Sequence, residues 1–319
     1  MASPIDPILD SHGVVILDGG LATELERRGA DLGGALWSAR VLLEDPQLLE
    51  QVVYDYLVAG ADVAVSASYQ ATFDGFARLG IGRAESAELL QRSVRLARDA
   101  RDRFWSDTSA HARRTKPLVT ASVGCYGASL ADGSEYRGDY GLTARKLMEF
   151  HRPRLDVLMK TDAEFFAFET IPCAVEAEAL VRLLEDYPGL HAWLSFSCRD
   201  GLHVSHGEPI ADCVGLTSGS REIVAVGMNC TPPEFIADLL TAAATATTKP
   251  LVAYPNSGEA WDADRRCWVA GSETFDIPEA VLQWHALGAR LIGGCCRTTP
   301  DTIRAIAARL GDRLPRKQR

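Results

Sequence analysis

Eight short apolar runs recur along the chain: "VVILDGG" (14–20), "DVAVSASY" (62–69), "LVTASVG" (118–124), "EFFAFET" (164–170), "HAWLSFS" (191–197), "IVAVGMNC" (223–230), "LVAYPNSG" (251–258) and "RLIGGCC" (290–296). They are rich in β-branched and aromatic residues and lack clean apolar–polar alternation, as expected of parallel strands covered on both faces. Between them lie segments with apolar residues three and four apart, which predict helices over 85–104, 144–160, 175–187, 278–288 and 300–311. Pro300 stands in a first helical turn, where its missing N–H costs little. Strand and helix in eightfold alternation predict an α/β fold, a (β/α)8 TIM barrel, as a single domain over 1–319. A doubly wound open sheet is the competing fold, but its G-x-G-x-x-G fingerprint is missing from the first strand–helix turn. No short repeat and no Pro/Ser-rich linker divides the chain.

Composition narrows what such a barrel does. Of 319 residues, 47% are hydrophobic, enough for a large core. The net charge of −10 and the lack of a long basic stripe argue against nucleic-acid binding. The basic "RLPRKQR" at the C-terminus reads as a solvated tail. No basic stretch leads into an apolar run in "MASPIDPILDSHG", and no stretch approaches ~18 uninterrupted apolar residues. The expectation is a cytoplasmic protein without a membrane segment, whose eight cysteines are reduced. A cluster among them then reads as metal-binding or catalytic.

Catalytic groups of a barrel sit where strands end and the following loops begin. The predicted strand ends offer Asp18, Ser66 and Ser68, Glu169, Asn229-Cys230 and Cys295-Cys296. The fourth, sixth and eighth strands alternate around the barrel, so Cys230 can approach the cysteine pair. Adjacent strand residues face opposite sides. Cys295 and Cys296 therefore reach one point only if the backbone has left the strand, and Gly293 and Gly294 are expected to permit that bend. Plainer readings compete. A lone cysteine is usually a small buried hydrophobe, as expected for Cys125, Cys173, Cys198, Cys213 and Cys267. Asp18 in "LDGG" suits a turn as well as a pocket, and Glu169 suits a helix cap. The "HVSH" pair, His203 and His206, reads as two exposed loop histidines.

Three thiolates and an open position are the pattern of a catalytic zinc. Such a set donates strongly, makes zinc a weak acid toward water, and favours sulfur as the fourth ligand. A thiol bound there becomes a thiolate near neutral pH, so alkyl transfer to a thiol is the expected chemistry. A structural zinc closed by a fourth protein ligand and a zinc hydrolase are the alternatives. The hydrolase needs a His or carboxylate ligand and a base beside the water, and no such pair is evident.

The motifs "LDGGLATELERRGADL", "LWSARVL", "SASYQAT", "YGASLADGSEYRGDYG", "FAFETIP", "GMNC", "YPNSGE" and "GARLIGGCCRTTP" run over nearly the whole chain. Together they resemble the homocysteine S-methyltransferases, zinc enzymes on a (β/α)8 barrel, and most closely the bacterial and plant branch that uses S-methylmethionine. Plant selenocysteine methyltransferases share these motifs. The resemblance implies Cys230, Cys295 and Cys296 as ligands of Zn2+, and Asp18 and Glu169 as pocket carboxylates receiving the substrate ammonium. It adds Ser66 and Ser68, at a hydroxyl-bearing position, and Asn229, just before the zinc cysteine, as further substrate-binding residues. No catalytic residue is expected beyond the zinc-activated thiol of the substrate. The implied partners are small molecules, homocysteine and a sulfonium methyl donor, with selenocysteine the alternative acceptor. The long polar segment 126–141 reads as a binding loop whose Asp132, Glu135 and Asp139 attract a cationic donor.

Overall fold

The computed structural model describes residues 2–32, 37–109, 114–259, 261–262, 267–269 and 275–311. Its strands are β1 (Val15–Ile16), β2 (Val63–Val65), β3 (Leu118–Gly124), β4 (Phe165–Ile171), β5 (Ala192–Phe196), β6 (Ile223–Asn229) and β7 (Leu251–Tyr254), followed by β8 (Trp261–Asp262), β9 (Cys267–Trp268) and β10 (Ala289–Ile292). Eight of them form one parallel sheet in the order β1-β10-β7-β6-β5-β4-β3-β2. β8 and β9 form a separate antiparallel pair inserted after β7.

The two end strands of the sheet meet. The Asp62 amide donates to the Ile16 carbonyl at 2.7 Å, and the Ile16 amide donates to Asp62 Oδ2 at 2.9 Å. A buried carboxylate thus substitutes for a missing ladder partner and closes the barrel. Arg114 pairs with the same carboxylate at 3.0 Å. Closure and helices between successive strands make this the (β/α)8 TIM barrel that the alternation predicts.

The five predicted helices appear as Arg83–Ser106, Ala144–Leu158, Ala174–Leu184, Ile277–Ala286 and Pro300–Gly311. Others were not read from periodicity, among them Pro46–Ala59, started by an Asp45 side chain that accepts from the Leu48 amide. A short N-terminal helix, Asp6–His12, ends at Gly13 in the left-handed region (φ 75°). It buries Ile5 and Ile8 against Val15, Val63, Leu118, Phe165, Trp193 and Leu291, plugging the barrel opposite its mouth. Each such aliphatic side chain contributes about 1.5–3 kcal/mol by leaving water.

Four predicted strands overrun the observed ones by four residues each at their C-terminal ends. Residues 17–20, 66–69, 255–258 and 293–296 carry no strand structure. These are the Gly-, Ser-, Asn- and Cys-bearing ends, and they bend away to form the mouth. The segment 126–141 is indeed no simple connection. It folds into a helical turn, Tyr126–Leu130, and a 3-10 turn, Ser134–Tyr136. The latter is tied over the end of β5 by a bond from Ser197 Oγ to the Glu135 carbonyl at 2.9 Å. Among the described residues no helix is long and apolar enough to cross a membrane.

Candidate metal centre and substrate pocket

Cys230, Cys295 and Cys296 converge. Their sulfur atoms all lie within 4.8 Å of one another, with Cys230 and Cys296 Sγ 3.7 Å apart. Among the described residues no His, Asp or Glu joins them. Cys230 takes a left-handed backbone (φ 47°) directly beyond β6, which turns its side chain out of strand alternation. The pair beyond β10 is fixed by its backbone. The Cys295 amide donates to the Pro255 carbonyl at 2.7 Å, the Cys296 amide to Asn256 Oδ1 at 3.2 Å, and Thr298 Oγ1 to the Cys295 carbonyl at 2.7 Å.

The reason for glycine ahead of the pair differs from the sequence expectation. Neither Gly293 nor Gly294 has a positive φ; the left-handed residue is Arg297 (φ 65°). Glycine is required by close approach. A Cβ on Gly293 would meet Leu17 Cβ at 2.6 Å and the Asp18 carbonyl at 2.7 Å, and one on Gly294 would overlap Thr298. Arg297 then turns away to pair with Glu259, Nε to Oε2 at 2.5 Å.

The thiols also interact. Hydrogen bonds from Cys230 and then Cys295 lower the Cys296 thiol well below the usual range, despite burial. Tyr136, carried in by the 3-10 turn, also favours the ionised forms of Cys230 and Cys296.

Glu169 lies at the C-terminal end of β4. Its Oε2 accepts from the Tyr254 hydroxyl at 3.0 Å, and its Oε1 accepts from Ser122 Oγ. Burial pushes its carboxyl up to about 7, against the lowering effect of those two bonds. Asp18 faces it: burial first, and the Glu169 charge second, hold the Asp18 carboxyl well above the usual range. The two carboxyls are half-buried and close enough for their charges to interact. Neither caps a helix here. The helix after Asp18 is capped from Gly20 and the one after Glu169 from Cys173, both without a side-chain bond.

Ser66 and Ser68 stand behind these two carboxyls rather than between them. Their hydroxyls bond each other at 2.6 Å, Ser68 donates to the Ser122 carbonyl at 2.7 Å, and Ser66 accepts from the Ser122 amide at 3.1 Å. Both are buried and brace the residue that holds Glu169. Asn229 is buried beside Cys230, with its amide turned to Thr170.

Of the acids in the 126–141 loop, Asp132 and Asp139 both pair with Arg137, at 3.8 and 3.5 Å. Glu135 is the acid that faces the cysteines. Burial raises its carboxyl to about 7, and its Oε2 has no partner. Cys125, Cys173, Cys198 and Cys213 are free and buried, as expected of small hydrophobes, while the Cys267 side chain lies outside the described residues. His203 pairs with Asp200 and His206 with Glu208, away from the thiols. Sequence reasoning missed Ser122, Tyr254, Tyr136 and Asn256. The interior polar residue at position 122 of β3 and the "YPNSGE" motif carried the available signal.

A closed β/α barrel with two carboxyls and three convergent thiols at its mouth defines a barrel enzyme suited to a soft metal ion and an amino-acid substrate. The homocysteine S-methyltransferase family model matches residues 15–310. Homocysteine S-methyltransferase YbgG of Bacillus subtilis is 49% identical over 306 residues, 96% of this chain and 97% of its own length. Homocysteine S-methyltransferase 2 of Arabidopsis thaliana is 47% identical over 323 residues, 97% of this chain and 96% of its own. Selenocysteine Se-methyltransferase of Brassica oleracea var. italica is 47% identical over 314 residues, 95% of this chain and 91% of its own. The crystal structure of the homocysteine methyltransferase MmuM from Escherichia coli, metallated form, superposes with a TM-score of 0.87 at 45% identity, covering 96% of this chain and all of that one. The chain belongs to the homocysteine S-methyltransferase family and is a methyltransferase that acts on small molecules.

Proposed function

We propose that the enzyme transfers a methyl group from a sulfonium donor to the thiol of homocysteine, with Zn2+ held by Cys230, Cys295 and Cys296, and that it acts in the reducing cytoplasm. The observation that carries this reading is the convergence of the three sulfurs with no fourth His, Asp or Glu among the described residues. Three soft donors with an open position suit zinc poised for a sulfur ligand, and leave a closed structural site or a hydrolytic one without its ligands. When bound, zinc supplies the Lewis acidity that makes an incoming thiol a thiolate near neutral pH.

The chain's own residues do the rest. Asp18 and Glu169 receive the homocysteine ammonium and so fix the direction of its side chain. Tyr254 and Ser122 hold Glu169, and Ser66 and Ser68 hold Ser122. The sulfur of homocysteine attacks the donor methyl, its C–S bond forming as the donor's breaks. The donor leaves as a neutral thioether with the bonding pair, and the thiol proton goes to solvent. No general base is needed. Holding the two sulfurs in line supplies much of the rate.

Glu135, whose Oε2 has no hydrogen-bond partner, favours a donor with net positive charge. Both sulfonium donors carry the same net positive charge, so only its smaller size should favour S-methylmethionine over S-adenosylmethionine in kcat/KM. Charge should favour S-methylmethionine over zwitterionic betaine, which should be poor. Added salt should shrink that advantage only modestly, because a largely buried charge such as Glu135 is screened much less than an exposed one. Steady-state rates for the three donors, with homocysteine and with selenocysteine, test this. Betaine equal to S-methylmethionine would refute the donor assignment, and preference for selenocysteine would move the enzyme to its neighbouring activity.

A further inference from the structure

We infer that Asn229 is a positioning residue: it clamps a strained backbone at Thr170 and so sets the Glu169 carboxylate relative to Cys230. The inference rests on the proposed homocysteine pocket. β4 pairs regularly with β3 through Glu169, but its ladder with β5 is broken between Phe168 and Ile171. Thr170 sits in that irregularity with φ 63°, a left-handed conformation that a β-branched residue strongly disfavours. Its amide has lost the strand partner that a regular ladder would supply. Asn229 replaces it, reaching from β6 past β5: Oδ1 accepts from the Thr170 amide and Nδ2 donates to Thr170 Oγ1, both at 2.8 Å.

Both polar ends of the side chain are thus engaged, and Asn229 and Thr170 are each 1% exposed. Strain of this kind persists only where surrounding bonds over-determine it. Two left-handed residues, Thr170 and Cys230, directly follow Glu169 and Asn229. One side chain therefore ties the turn that presents the ammonium-binding acid to the turn that presents a sulfur ligand. The spacing between the amino-acid end and the sulfur end of the substrate is set there.

The test compares wild type with Asn229→Ala, Asn229→Asp, Thr170→Gly and the Asn229→Ala/Thr170→Gly double variant. Homocysteine affinity is read by calorimetry, melting temperature by scanning, and KM separately for homocysteine and donor. Asn229→Ala should weaken homocysteine binding about tenfold and lower the melting temperature, because the strain loses its restraint. KM for the donor should change little. Asp retains acceptors for the Thr170 amide and hydroxyl, so Asn229→Asp should bind homocysteine better than Asn229→Ala. Glycine adopts the left-handed region freely, so the double variant should be no worse than Thr170→Gly alone. An Asn229 that donated directly to substrate would give the opposite order, Asp worse than Ala, with losses that add in the double variant; either result overturns the inference. If Asn229→Ala does not fold, Asn229→Asp decides alone: affinity within about threefold of wild type supports the clamp, and a tenfold loss refutes it. Failure of wild type to bind homocysteine would strike the proposed function, while the order of melting temperatures would still judge the clamp.

Discussion

Serine at Cys230, Cys295 or Cys296 should leave a folded barrel that binds little zinc and turns over homocysteine more than about a hundredfold more slowly. Outer-shell partners of metal ligands already cost about 10–100-fold when removed, and a ligand itself costs more. The fold should survive. The barrel interior is filled by Phe165, Trp193, Leu291 and their neighbours, while Cys295 and Cys296 remain partly exposed at the mouth. Zinc per chain and turnover, measured on the same preparations with circular dichroism as a check on folding, decide the matter. A variant that keeps one zinc per chain and near-normal turnover removes that cysteine from the ligand set.

Glu169→Gln should keep zinc and lose about 10–100-fold in kcat/KM for homocysteine at pH 8, the worth of a charge-assisted hydrogen bond of about 1.5–3 kcal/mol. The loss depends on pH in a defined sense. Burial raises the Glu169 carboxyl to about 7, so below that pH the wild-type group is increasingly protonated and no better than glutamine. The ratio of wild type to variant should fall as pH drops through 7. Stability runs the other way. A carboxyl whose folded value lies above its unfolded one holds its proton more tightly in the native state. Its contribution is fully present below the unfolded value of about 4.5 and is lost as pH rises through about 7. Ligand-free Glu169→Gln should accordingly melt at or above wild type at pH 8. A pH-independent ratio, or unchanged kinetics with full zinc, would place the ammonium elsewhere. Asp18→Asn, measured alike, separates the two acids.

The barrel was legible because parallel strands buried on both faces leave unbroken apolar runs, which periodicity detects. Their C-terminal ends were not. "LVAYPNSG" and "RLIGGCC" continue the apolar or small-residue pattern past Tyr254 and Ile292, where the regular strands end. The three cysteines were legible as chemistry, since adjacent thiols are poor disulfide partners and have few structural uses. Their geometry was not. The left-handed turns at Cys230 and Arg297 depend on contacts with strands distant in sequence, and no local pattern marks a β-branched residue such as Thr170 for a left-handed conformation. The N-terminal plug escaped because a seven-residue helix shows less than two full periods. The loop acids were visible as charges, but Arg137 offsets Asp132 and Asp139 through pairings that sequence alone did not order.

The central claim is that the three sulfurs hold a metal with a position open to the substrate thiol. It is tested most directly by replacing zinc with cobalt and titrating with homocysteine while recording the visible spectrum. The account predicts a saturable change in the ligand-field and sulfur-to-cobalt bands as a fourth sulfur joins Cys230, Cys295 and Cys296, abolished in the serine variants. A cobalt spectrum that homocysteine leaves unaltered, in protein that still holds one metal per chain, would mean a closed site and contradict the account.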